Sequence, residues 1–304
     1  MPSAASRLVP LILRATGRGK PLSDAAAARQ RVADRALRPR PFGPPRLRDD
    51  VEVTVVHDGW PVYTVSPAGG RARRHAVYLH GGGWLNEIEP AHWRLIAALA
   101  AETQTAVRVP IYPLVPWGTA GEVVPRVAEL VLAEVARTGP RQTVLLGDSA
   151  GGQIALSSAI WLRDKGFDQP DRIFLIAPVL DAAMTNPAIA ALERRDPWLS
   201  RPGIGEYVEY WRGDLSIDDP LVSPLSAALE GLTGLTVFTG TRDILNPDAH
   251  LLAGRASAAG VDVDFVQGEG MVHVYPLLPI PEGRAARRRI VDTINGTPPG
   301  SLRR

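Results

Sequence analysis

The sharpest chemical signal in the chain is Gly147-Asp148-Ser149-Ala150-Gly151-Gly152. It follows a strand-like apolar run at 142–146 and opens a helix-like pattern over 150–165. A serine on such a strand-to-helix turn is held out on a tight bend, and the small glycines let the backbone take that shape. The helix beyond aims its N–H groups and the positive end of its dipole at the bend. This arrangement suits nucleophilic attack on a carbonyl, with negative charge developing on oxygen. A second stretch, His80-Gly81-Gly82-Gly83-Trp84, follows another strand-like run at 76–79. Three successive glycines let backbone approach a ligand with its N–H groups outward, and an acyl-transfer site needs such donors. His80 is read as structuring that loop.

A serine nucleophile needs a base, and the base needs an orienting acid. With this kind of elbow the chain order is Ser, acid, His. Only His250 and His273 lie downstream of Ser149. His250 falls at the expected start of a helix, where a surface or capping role suffices. His273 falls in a loop after the strand-like run 261–266, and loops at the carboxyl ends of strands are where such sites form. The acid is then Asp243, which follows the strand-like run 235–239. Asp248 is its nearest competitor and would serve as a helix-entry cap; Asp262 and Asp264 sit on a strand and point sideways. Asp148, beside the nucleophile, is expected to be held by local backbone hydrogen bonds.

The elements that must position these residues alternate. Strand-like runs at 105–110, 142–146, 172–177, 235–239 and 261–266 are interleaved with helical patterns at 92–103, 120–138, 150–165, 250–259 and 284–294. Such alternation gives a mostly parallel sheet with helices on both faces, an α/β architecture. Runs at 51–56 and 61–66 flank Asp58-Gly59, a hairpin signal. Two regions break the rhythm. Residues 1–48 read as short helices followed by a Pro-rich extended stretch, Pro39 to Pro45. Residues 183–227 carry several prolines and the aromatics Trp198, Tyr207, Tyr210 and Trp211 without a strand. Both look like additions over one end of the sheet.

Composition removes rival chemistries. The 304 residues contain no cysteine, which excludes thiol nucleophiles, disulfide frameworks and Cys-ligated metal. The formal net charge of +2 supplies no field for nucleic acid or an anionic membrane. Arg71-Ala72-Arg73-Arg74 and Arg287-Arg288-Arg289 are read as solvated surface. The apolar run 8–13 is short for a secretory core and contains Pro10, and nothing approaches the roughly 20 apolar residues of a membrane span. The expected location is the cytoplasm, with no stable membrane insertion. No dinucleotide fingerprint, Walker A loop or HExxH is present, so neither cofactor nor metal is expected.

These motifs resemble those of the hormone-sensitive-lipase-like branch of the α/β-hydrolases, bacterial carboxylesterases with an HGGG loop. The resemblance covers roughly 75–295. It rests on HGGGW at 80–84, Ile111-Tyr112-Pro113-Leu114 followed by Pro116, GDSAGG at 147–152, Asp219-Pro220-Leu221-Val222-Ser223-Pro224-Leu225, and Met271-Val272-His273-Val274-Tyr275. It implies the α/β-hydrolase fold, with 49–182 and 228–304 as the catalytic domain. It also implies a helical cap from 1–48 and the insertion 183–227. The backbone N–H groups of Gly82, Gly83 and Ala150 become the implied oxyanion donors. The implied activity is hydrolysis of short-to-medium acyl esters by Ser149, Asp243 and His273 through an acyl-enzyme. The family's Tyr-x-Leu-Ala-Pro-Glu reads Tyr112-Pro113-Leu114-Val115-Pro116-Trp117 here, and Val274-Tyr275 follows the histidine where Phe is commoner at the second place. Both departures bear on substrate details.

Trp84, Trp198, Tyr207 and Trp211 either line a substrate pocket beneath the cap or pack the cap together. The motifs serve amidases, lactonases and peptidases equally, and a non-catalytic binding protein on the same scaffold is a further alternative. The expected partner is a small-molecule ester. The sequence leaves homodimer formation open.

Overall fold

In the computed structural model, residues 2–17, 19, 22–38 and 40–296 are described. Eight strands among them form one sheet: β1 (Val51–Asp58), β2 (Trp60–Pro67), β3 (Arg74–Leu79), β4 (Thr105–Pro110), β5 (Thr143–Asp148), β6 (Arg172–Ile176), β7 (Gly234–Gly240) and β8 (Val263–Gly268). Their spatial order is β1-β2-β4-β3-β5-β6-β7-β8. The first two form the hairpin that Asp58-Gly59 signals, with Gly59 turning at φ 73°. β2 meets β4 antiparallel, and every pairing from β4 to β8 is parallel. All six residues of β5 are buried, whereas β1 at the edge exposes nearly all of its own. That contrast is what a parallel interior and an antiparallel rim require.

The helices are α1 (Ala4–Ala15), α2 (Ala25–Leu37), α3 (Pro90–Thr103), α4 (Ala120–Thr138), α5 (Ala150–Asp164), α6 (Ile189–Glu193), α7 (Arg201–Arg212), α8 (Asn246–Ala258) and α9 (Pro281–Ile294). The period-2 alternation of the central strands divides the apolar side chains between two cores. Val77, Leu79, Leu145, Ile173 and Leu175 pack under α4, α5 and α8. Ala76, Tyr78, Val144, Leu146, Phe174 and Ile176 pack under α3 and α9. Helices therefore cover both faces, as the alternation requires.

The two irregular regions meet. Ala28 and Val32 of α2 are buried in one cluster with Ile204, Tyr207, Val208 and Trp211 of α7. A Cβ at Gly203 would collide with the backbone of Leu22, so glycine sets how closely the two regions approach. Ser3 and Ser6 of the N-terminal region bond Glu282, fastening α1 to the first turn of α9. Residues 40–48 form neither helix nor strand; Pro39 lies outside the described residues. The segment 183–227 is strandless, but it contains the twelve-residue helix α7. Pro202, Gly203 and Gly205 hide it from a periodicity reading, although Pro in a first helical turn is well tolerated.

Several details differ from expectation. His250 lies one turn inside α8, because the helix begins at Asn246 with Pro247 in its first turn. Arg287 and Arg289 are not merely solvated. Arg287 donates to the carbonyls of Pro276 and Leu278, and Arg289 pairs with Asp264. Among the described residues, no helix is long and apolar enough to cross a membrane.

Candidate active site

Ser149 sits between β5 and α5 with φ 53° and ψ −120°, a backbone conformation that L-residues rarely adopt. Such strain persists only where the surroundings over-determine it. Here the Ser149 N–H donates to the Ile176 carbonyl (2.8 Å), and the Ser149 carbonyl accepts from Gln153 (3.1 Å) and Val179 (3.2 Å). Gly151 lets α5 abut the end of β3, since a Cβ there would collide with the carbonyl oxygen of Leu79.

Asp243 and His273 arrive from the loops after β7 and β8. His273 Nε2 lies 2.9 Å from Ser149 Oγ, and its Nδ1 lies 2.8 Å from Asp243 Oδ2. All three are buried, and the second Asp243 oxygen accepts the Leu245 N–H at 2.9 Å. Burial disfavours a charged His273, but the Asp243 carboxylate outweighs it, with help from Asp196 and Asp148, and the imidazole pKa is raised. The rival residues lie elsewhere. His250 bonds Gln267, Asp262 pairs with Arg172, and Asp264 with Arg289. Asp248 is in the first turn of α8, not at its cap, and accepts a bond from Asn186.

Asp148 is not held by local backbone. It accepts from Tyr78 Oη (2.6 Å), the Gly81 N–H (3.0 Å) and His92 Nε2 (3.3 Å), partners from β3, the glycine turn and α3. Burial pushes its carboxyl up, but the charge and hydrogen bond of His92 with the Tyr78 bond hold it below its ordinary value. His80 stacks on Tyr112 at 4.6 Å, with Nδ1 2.7 Å from the Gly81 carbonyl oxygen. Burial lowers its pKa to about 4, so it is neutral and structural. Gly82 and Gly83 adopt φ 125° and 63°. The Gly82 carbonyl accepts from the backbone of Leu85 and Asn86, and from Asn86 Nδ2 at 2.7 Å. Among the described residues, the N–H groups of Gly82, Gly83 and Ala150 donate to no protein acceptor.

Ser149 and His273 open into a cavity of about 370 Å³ whose walls include Gly82, Gly83, Trp198 and Tyr207. Trp198 stands edge-on to the His273 ring at 5.9 Å. Trp84 also borders the cavity, but its ring is fully buried against Trp211 (5.6 Å), and both indole N–H groups donate to Gln153 Oε1 at 3.0 Å. Trp211 does not line the cavity; stacking and that shared bond make it a packing residue. Sequence reasoning missed Asp196. Its carboxylate accepts the N–H groups of Trp198, Leu199 and Ile244, joining the inserted segment to the loop of Asp243. Burial and the nearby Asp243 charge push its carboxyl upward. Asp196-Pro197 signals a turn, but nothing in the spacing announces the contact with Ile244. Among the described residues, no group of three or more acidic or histidine side chains could hold a metal ion.

A family model described as the α/β hydrolase fold matches residues 76–277. The chain belongs to the α/β-hydrolase family. This α/β-hydrolase is 33% identical over 239 residues to a Mycobacterium tuberculosis protein named triacylglycerol lipase, covering 77% of this chain and 50% of that one. It thus spans half the length of that relative. Among solved structures, a hormone-sensitive lipase from a metagenome library superposes with a TM-score of 0.82 at 26% identity, covering 96% and 99% of the two chains. An esterase from the bacterial hormone-sensitive lipase family gives 0.77 at 27% identity, covering 90% and 97%. The similarity of this α/β-hydrolase is therefore to the hormone-sensitive-lipase group.

Proposed function

We propose that the protein is a serine carboxylesterase acting on short-to-medium acyl esters. The observation that carries this reading is the continuous bond path from Ser149 Oγ through His273 to Asp243, opening on the cavity. In the proposed reaction His273 Nε2 takes the Ser149 proton as Oγ bonds to the ester carbonyl carbon. The resulting oxyanion is met by the free N–H groups of Gly82, Gly83 and Ala150. The carbon–alkoxide bond breaks as His273 returns the proton to the leaving alcohol. Water, deprotonated by His273, then attacks the acyl-Ser149, and the released serine takes the proton back. Asp243 fixes the imidazole tautomer and stabilises its charged form.

Residues 1–48 and 183–227 act as the cap, because α2 and α7 both reach the cavity that holds Ser149. Relatives named as lipases and esterases support an ester substrate, and the modest cavity supports short-to-medium chains. The test is hydrolysis of a 4-nitrophenyl ester chain-length series beside a 4-nitroanilide and a lactone. Preference for esters of two to eight acyl carbons is expected, with turnover lost in Ser149→Ala. Full activity in Ser149→Ala, or no hydrolysis of any activated ester, would sink the proposal.

A further inference from the structure

One sector of the cavity wall contributes no group to the bond changes proposed for a simple ester. Arg31 of α2 and Arg40 beyond it both line the catalytic cavity. Arg35, one helical turn after Arg31, lines an adjoining cavity of about 390 Å³ that shares Arg40 and Glu87 as walls. The three guanidiniums are close enough to repel: burial, then Arg40 and Arg31, lower the pKa of Arg35. Among the described residues none of the three makes an ion pair with a carboxylate. Arg31 donates to Asn86 Oδ1 at 2.9 Å, and Arg35 Nε is buried without a partner. Facing the same space is Tyr207, only 3% exposed, whose hydroxyl is also buried without a partner.

Three acidic residues border the catalytic cavity, and one of them, Asp148, is already engaged by Tyr78, the Gly81 N–H and His92. Glu87 is half-buried with Oε2 unpartnered, and burial raises its carboxyl pKa against the pull of Arg35. Glu89 is exposed. Three cations thus stand against one carboxyl disfavoured as an anion, one bathed in solvent, and Asp148, whose charge is already met by His92 and two hydrogen-bond donors. Buried polar atoms without partners are rare enough to require an explanation, and a bound group is one. Guanidinium groups and a hydroxyl donor are suited to carboxylate or phosphate oxygens.

We propose that Arg31, Arg40 and Tyr207, backed by the charge of Arg35, form an anion subsite of the catalytic cavity, and that the substrate carries a carboxylate or phosphate on the limb lying toward α2. The substrate half rests on the esterase reading above; the subsite does not. Calorimetric titration of the full chain with glutarate, phenyl phosphate and neutral glutaramide reads the subsite directly. At least one of the two anions binds about tenfold or more tighter than glutaramide, the scale of a charge-assisted hydrogen bond. Which anion leads assigns the carboxylate or the phosphate. The preference disappears in Arg31→Gln/Arg40→Gln and weakens in Tyr207→Phe, which removes only the hydroxyl.

Anions binding no tighter than glutaramide, or a preference surviving the double substitution, overturns the subsite. Mono-4-nitrophenyl glutarate and 4-nitrophenyl butyrate separate the two readings if the carboxylate leads, and anionic and neutral esters of matched size do so if the phosphate leads. A kcat/KM advantage for the anionic ester, lying in KM, supports both. Anion binding without hydrolysis of either ester overturns the esterase reading alone.

Discussion

In the proposed reaction His273 acts as a base only in its neutral form, so the neighbours that stabilise its proton would set the pH at which activity appears. The net rise in its pKa puts the acid limb of a kcat/KM profile above the ordinary imidazole value: activity is lost as pH falls through that raised pKa and is full above it. Asp196 contributes to the rise although it does not touch the ring. Asp196→Asn removes that charge, so the acid limb should move to lower pH; an unmoved limb would show that Asp196 has no electrostatic role. Asp243→Asn is harsher, because it also removes the partner that fixes the tautomer. A loss of about 10⁴ in kcat is expected from steady-state rates, the scale known for such a change in a Ser-His-Asp triad. That Ser149, Asp243 and His273 come together is legible from type, chain order and the strand each one follows. The partners of Asp148 are not, because Tyr78 and His92 reach it across the fold and leave no mark in local spacing.

At the scale of elements, the alternation of strands and helices is readable because buried parallel strands and amphipathic helices leave different periods in the sequence. Helix α7 is hidden because proline and two glycines sit in its first turns, and only contact with α2 and Trp84 shows which face it buries. The glycine turn is equally dependent on a distant element. Asn86 Nδ2 holds the Gly82 carbonyl, while Asn86 Oδ1 accepts from Arg31 of α2. Helix α2 is thereby connected to the peptide units whose N–H groups would meet the oxyanion. Asn86→Ala removes both bonds without altering a donor, so it should cost less than the about 10²–10³ of losing one donor outright. A fall of about tenfold or more in kcat, with KM changed less, is expected from initial-rate measurements. A wild-type kcat would mean that the glycine turn keeps its shape unaided.

Across the whole molecule one buried side chain unites what the chain order separates. Gln153, in the first turns of α5, accepts both indole N–H groups of Trp84 and Trp211. Its amide donates to Ser157 Oγ (2.9 Å) and to the Leu221 carbonyl (2.7 Å). The glycine turn, α5, α7 and the segment returning to the sheet therefore share one fully satisfied polar node. A buried network of this kind is most costly when half broken. Gln153→Leu keeps much of the volume but leaves two indole donors and one carbonyl without their partner. Loss of about 2–4 kcal/mol is expected after local relaxation, which for a chain of this size lowers Tm by roughly 3–6 °C. Because Trp84 and α7 both border the cavity, KM should rise in the same variant while Ser149 and His273 remain competent. Thermal unfolding followed beside ester kinetics checks both effects. An unchanged Tm would mean that stacking of Trp84 on Trp211 holds the node together without the amide, and the coupling of α7 to the glycine turn would then rest on apolar contact alone.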